Sequence, residues 1–255
     1  MSWSSYRVQG PIKKAKVCVT GANRGIGLKL VELLLRDEEA DNIVVAACRT
    51  PSEALLALEK KYGMTRCVIT PGLDVSDEAS IALWARLLKD KVKRLDVVVN
   101  NAGVVGSDGY AKWDLDSTTQ EEMLYVFKVN TCGPVLVTKY LLREGLIGGE
   151  EGGSLVGNVT SKVGSIDDNT SGKGYAYRAS KSALNNAHKS MSIDLADQNV
   201  HFALLHPGWV RTDMTEGRGL IDAEESARGL LDVLQGRFGD CERNWFDYKG
   251  DAIKW

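Results

Sequence analysis

Short apolar runs and helically spaced apolar positions take turns along the chain from end to end. Lys16–Thr20 is a β-rich run, and a glycine turn follows it. Ile26, Leu30, Val31, Leu33 and Leu34 then recur near helical spacing. Apolar runs return at Asn42–Cys48, Arg66–Thr70, Leu95–Val99, Gly153–Thr160 and Val200–Leu205, with a last one near Trp245–Tyr248. Between them the pattern predicts helices from Pro51 to Lys61, Asp77 to Lys91, Thr118 to Leu142, Ala176 to Asp197 and about Asp222 to Leu234. Strands that read as unbroken apolar runs are buried on both faces. Helices between them imply right-handed crossovers and a parallel sheet. The expectation is an α/β, Rossmann-type, doubly wound parallel sheet of about seven strands with helices on both faces. No linker or repeat divides the chain. Residues 1–15 read as a ragged tail and 16–255 as one catalytic domain.

Composition narrows the class. The chain has 255 residues, 44% hydrophobic and 26% charged, with a net charge of −2. That suits one globular domain with a substantial core, not a disordered chain. Lys+Arg 32 against Asp+Glu 34 leaves no basic excess, which disfavours nucleic acid as the main partner. No run approaches the roughly 20 apolar residues of a membrane span, and the N-terminus lacks the apolar core of a secretory signal. Cys18, Cys48, Cys67, Cys132 and Cys241 are scattered, with no C-x-x-C, so neither a disulfide framework nor a zinc site is expected. A reducing cytoplasm fits best. His188, His201 and His206 show no ligand spacing, and no metal is expected.

In such a sheet, ligands sit beyond the carboxyl ends of the strands. Thr20-Gly-Ala-Asn-Arg-Gly-Ile-Gly27 lies there, between the first strand and the first helix. Gly21 permits a tight turn, Gly25 lets a pyrophosphate approach, and Gly27 lets helix and strand pack closely. Free N–H groups at the helix start face the phosphate. The alternative is a glycine-rich connector that binds nothing.

The spacing G-x-x-x-G-x-G resembles the short-chain dehydrogenase/reductase family. Asn100-Asn-Ala-Gly103, Asn130, Ser161, the Y-x-x-x-K of Tyr177 and Lys181, and the Pro207-Gly208 stretch follow in the family's order. The Y-x-x-x-K spacing alone recurs by chance; its place after the fifth strand is what counts. The segments Asn169–Asn185 and His206–Asp213, and the ending Trp245–Gly250, are similar to the C-factor/Sniffer-type, carbonyl-reductase-like branch.

That resemblance implies a catalytic set. Tyr177 would be the acid/base, and Lys181, on the same helix face, would lower its pKa and hold a ribose. Ser161 would hydrogen-bond the substrate oxygen, and Asn130 would hold a proton-relaying water. Ser165 is a rival for the serine, because the gap from Ser161 to Tyr177 exceeds the family's usual spacing. Tyr175 is a weaker rival for the tyrosine, since Ala179 stands where a cation is needed.

The implied cofactor site comprises Gly21, Asn23, Arg24, Gly25, Ile26, Gly27, Arg49, Asp74, Val75, Asn101, Ala102, Gly103, Tyr177, Lys181, Pro207, Gly208, Val210 and Thr212. Strand two ends Ala46-Ala-Cys-Arg49, without the carboxylate that an NAD enzyme uses on the ribose. Arg49 and Arg24 would grip a 2′-phosphate instead, so NADPH/NADP is expected over NAD. Asp74 resembles the family's adenine-binding aspartate, or is the N-cap of the next helix. The pocket wall would come from residues after Gly103, from Ser165–Tyr175, from Trp209 and from Asp213–Leu220, with Asp213–Gly219 as a small lid.

The expected activity is NADPH-dependent reduction of a small carbonyl substrate, an aldehyde, ketone or quinone, to an alcohol. The alternative is an NADP(H)-binding regulatory or signalling protein with incidental turnover. The family's four-helix contact would allow a homodimer or higher homo-oligomer, although no decisive apolar stripe marks it.

Overall fold

The computed structural model describes residues 11–149, 153–238 and 245–255. Seven strands form one sheet: β1 (Lys16–Thr20), β2 (Ile43–Ala47), β3 (Cys67–Thr70), β4 (Val97–Asn100), β5 (Ser154–Val159), β6 (Val200–His206) and β7 (Trp245–Asp247). Their order is β3-β2-β1-β4-β5-β6-β7, with every neighbouring pair parallel. The expected doubly wound sheet is thus present. Its switch point lies between β1 and β4, where Val17 pairs Val97 and Val19 pairs Val99. The crevice for a ligand opens there.

Helices α1 (Gly25–Arg36), α2 (Glu53–Tyr62) and α7 (Ala223–Leu234) cover one face. Leu30, Val31, Leu34 and Leu35 of α1 meet Leu230, Val233 and Leu234 of α7 in that core layer. Helices α3 (Glu78–Lys91), α4 (Gln120–Phe127), α5 (Gly133–Arg143) and α6 (Tyr175–Asp194) flank the opposite side. There Ile81, Trp84, Val137 and Leu141 bury Val45, Val98 and Val156.

The long helix expected from Thr118 to Leu142 is two helices joined by a π-turn, Lys128–Cys132. Pro134 explains the break. It has no N–H to give the Asn130 carbonyl, and its ring crowds that carbonyl in α geometry. The turn is fixed by side chains: Asn130 bonds Val104, and the Thr131 hydroxyl donates to the Ser180 carbonyl at 2.8 Å.

Of the expected tail, residues 1–10 lie outside the described residues. Residues 11–15 are docked, not ragged. Ile12 and Ala15 are buried, the Ile12 N–H reaches Gln235, and Asn42 ties both residues to β2. Cys241 also lies outside the described residues; Cys18, Cys48, Cys67 and Cys132 are free thiols. Among the described residues, no helix is long and apolar enough to cross a membrane.

Candidate active site

A cavity of about 360 Å³ runs along the carboxyl ends of the strands. One end holds Arg49, Asp74 and the glycine turn; the other holds Tyr177 and Lys181.

The glycine turn is built by close approach. Gly21 has φ +66°, and Gly27 lies so near the Gly21 carbonyl that a Cβ would come within 2.3 Å of it. Asn101 braces the turn, its side-chain amide donating to Thr20 and Gly21 carbonyls at 2.9 and 3.3 Å. Helix α1 starts without a side-chain cap and with no acid in its first turn. Ser52, Asp77, Thr119 and Asp222 cap α2, α3, α4 and α7. The α1 N–H groups therefore keep their capacity for an anion.

Asn23, Arg24, Gly25, Ile26, Arg49, Val75, Ala102, Gly103, Pro207 and Thr212 line the same cavity. Three of the expected cofactor residues do not; Gly27 is packed against the Gly21 carbonyl and the Asn101 amide. Gly208 packs on Tyr248 and Ile221. Val210 is buried, and its carbonyl is taken by the Thr215 hydroxyl at 2.6 Å. The chain turns back there to start the loop at 213, which carries Val210 away from the cleft.

Asp74 lines the cavity, and its carboxylate accepts from the Ser76 N–H and hydroxyl at 2.9 and 2.7 Å. Burial pushes this carboxyl up, but those bonds and the Arg49 charge outweigh it and hold it below the ordinary value. The N-cap alternative for Asp74 fails, because Asp77 caps α3. Arg24 is exposed and ion-paired with Asp213 at 3.2 Å.

At the other end, α6 presents Tyr177 and Lys181 one turn apart. The Lys181 ammonium is 5.8 Å from the Tyr177 ring centroid and donates to the Val159 carbonyl at 2.9 Å. Burial pulls Lys181 down to about 8 and pushes Tyr177 up to about 12. The nearby Tyr110 adds to that rise and Ser161 opposes it. In this geometry desolvation, not the lysine charge, dominates the phenol.

Ser161 lies two residues past the end of β5, and its side chain hydrogen-bonds Tyr177. Ser165 is buried; its hydroxyl donates to the Trp255 carbonyl and accepts from the Asp168 N–H, both at 3.2 Å. Tyr175 stands half exposed at the first position of α6. The Asn130 side chain accepts from Val104 N–H and donates to the Val104 carbonyl and Ser180 hydroxyl. Its amide is therefore committed to structure.

The loop from Asp213 begins with local hydrogen bonds. It forms a 3₁₀ turn, Asp213–Thr215, closed by Glu216 and Gly217 N–H bonds to Asp213 and Thr212 carbonyls. Tyr110 and Trp113 were not anticipated individually. The Trp113 ring packs 4.9 Å from Tyr110 and 6.2 Å from Tyr177. The one available signal was an aromatic pair three residues apart in an otherwise polar loop.

A doubly wound sheet, an uncapped glycine turn at its switch point and a Tyr–Lys pair in the same cleft define a dinucleotide-fold oxidoreductase. Comparison places it within that class. The short chain dehydrogenase family matches residues 15–220. The C-signal protein of Myxococcus xanthus is 42% identical over 164 residues, 63% of this chain and 93% of that protein. The NADPH-bound carbonyl reductase from chicken fatty liver superposes with a TM-score of 0.80 at 31% identity, covering 95% and 100% of the two chains. The carbonyl reductase Sniffer of D. melanogaster gives 0.82 at 29%, covering 94% and 99%. The chain belongs to the short-chain dehydrogenase family, in its carbonyl-reductase-like branch.

Proposed function

We propose that the protein reduces a carbonyl to an alcohol with NADPH. The observation that carries this reading is one cleft joining the uncapped glycine turn to Tyr177 and Lys181. When bound, the nicotinamide supplies the hydride.

The chain's own residues do the rest. Gly21, Gly25 and the α1 N–H groups receive the pyrophosphate, and Ile26 and Ala102 lie along the same wall. Arg49 and Arg24 receive the 2′-phosphate, with Arg24 exchanging its exposed Asp213 partner for it. Asp74 and Val75 hold the adenine end. The Thr212 hydroxyl, which accepts from Thr215 N–H, keeps its own proton for the carboxamide.

Tyr177, protonated at neutral pH, gives its proton to the developing alkoxide. Ser161 hydrogen-bonds the same oxygen. Lys181 holds its charge beside the phenol, orients the ribose and returns a proton. Asn130 would hold a relay water through its backbone carbonyl, which Pro134 deprives of its α-helical donor.

The test is isotopic. Turnover of a quinone or aldehyde with NADPH deuterated at nicotinamide C4 should place deuterium on the carbinol carbon, as mass spectrometry reads. NADPH binding without label transfer across several carbonyl classes would favour the regulatory reading.

A further inference from the structure

Two phenols share one indole beside α6, and Tyr110 lies near enough to Tyr177 to act on its titration. Trp113 meets Tyr110 edge-on at 4.9 Å and leans on Tyr177 at 6.2 Å. The arm carrying Tyr110 and Trp113 is pinned at both ends. Its Trp113 carbonyl accepts from the Gly174 N–H at 2.6 Å, one residue before α6. Buried Glu122 accepts the Ser107 N–H and hydroxyl at 2.7 and 2.6 Å. Tyr110 is therefore held in place relative to Tyr177, not free on a loose loop.

The Tyr110 phenol is held between a cation and an N–H donor. The Arg218 guanidinium lies 5.2 Å over its ring, and the Trp209 indole N–H faces its oxygen. Burial raises its pKa, Arg218 and Trp209 oppose that rise, and Glu216 adds to it; the net is upward. The hydroxyl thus stays protonated at neutral pH. A phenol oxygen that accepts from an indole N–H still has a proton to donate. Among the described residues, no hydrogen bond takes it.

We propose that Tyr110 is a second phenolic hydrogen-bond donor to the oxygen of the carbonyl substrate, acting beside Tyr177 and Ser161. It keeps its proton throughout and binds the oxygen more strongly as charge develops there. This rests on the reading of Tyr177 as the reducing site's acid.

Tyr110→Phe tests it, since the ring stays between Trp113 and Arg218 and only the oxygen is lost. With 1,4-naphthoquinone and 4-nitrobenzaldehyde, kcat/KM should fall about tenfold, the size of one hydrogen bond to a developing charge. NADPH affinity should not change. Trp209→Phe, which removes the N–H that fixes the phenol together with the pyrrole half of the ring, should fall in the same direction by a smaller factor. Full kcat/KM in Tyr110→Phe, or a loss confined to Tm in both variants, overturns the proposal. If the unsubstituted protein turns over neither probe, the reductase reading falls first. A Tyr177-dependent reductase indifferent to Tyr110→Phe overturns this proposal alone.

Discussion

The Lys181 ammonium and the Tyr177 ring, 5.8 Å apart on one face of α6, are shifted in opposite directions by the same burial. Lys181 falls from 10.5 to about 8 and Tyr177 rises from 10.0 to about 12. Both shifts favour the neutral form. The pair is thus poised to pass a proton, with the Val159 carbonyl holding the lysine in place.

Those shifts set a dependence of stability on pH. Between about 8 and 10.5 the unfolded chain binds more protons at Lys181 than the folded one, so this group's contribution to stability increases with pH. Tyr177 acts oppositely between 10.0 and about 12, where the folded chain binds more and stability falls. Lys181→Met should remove a rise on the order of 3 kcal/mol. Urea unfolding of both proteins at about pH 7 and about pH 10 reads the difference. Equal pH dependence in the two would show that the lysine is not desolvated.

Gly27→Ala places a methyl group 2.3 Å from the Gly21 carbonyl and 2.5 Å from the Asn101 amide. Backbone on one side and a braced side chain on the other leave no easy relief. Loss of about 1–3 kcal/mol is expected, with NADPH binding weakened because the turn must open. Chemical denaturation and a fluorescence titration read the two effects. A variant with wild-type stability and binding would mean that the packing is looser than described.

Arg49→Ala and Arg24→Ala should each weaken NADPH by about tenfold or more while leaving NADH affinity unchanged, because only the 2′-phosphate is lost as a partner. Parallel titrations with both nucleotides decide it. Equal losses for NADPH and NADH would assign these arginines elsewhere.

Ser161 and Ser165 should separate cleanly. Ser161→Ala is expected to lower kcat about 100-fold with an unchanged Tm. Ser165→Ala should retain kcat and lose about 1–2 kcal/mol, since it leaves the Asp168 N–H and the Trp255 carbonyl without their partner. Steady-state rates and thermal melts distinguish the two, and a reversal of roles would move the catalytic serine.

Much of this architecture was legible because buried parallel strands must be apolar throughout, as Val97-Val-Val99 and Ile43-Val-Val45 are. The glycine turn was legible for a similar reason: few sequences allow backbone to come as close as Gly27 does to Gly21. The break at Lys128–Cys132 was hidden because apolar periodicity continues through it; Pro134 was the local sign. Docking of Ile12 and Ala15 depends on Asn42 and Gln235, far away in sequence. Tyr110 and Trp113 escaped notice because a loop's aromatic residues acquire meaning only once the fold sets them against Tyr177. The bond from the Ser165 hydroxyl to Trp255 was hidden because it spans 90 residues.

In the proposed function, one cleft binds NADPH and uses Tyr177 to protonate a reduced carbonyl. The direct measurement is NADPH titration of the protein and of Tyr177→Phe, followed by turnover of a quinone at saturating NADPH. Equal binding by both proteins is expected, with turnover in the variant lower by about 100-fold or more. Undiminished turnover in Tyr177→Phe, or no NADPH binding by either protein, would contradict it.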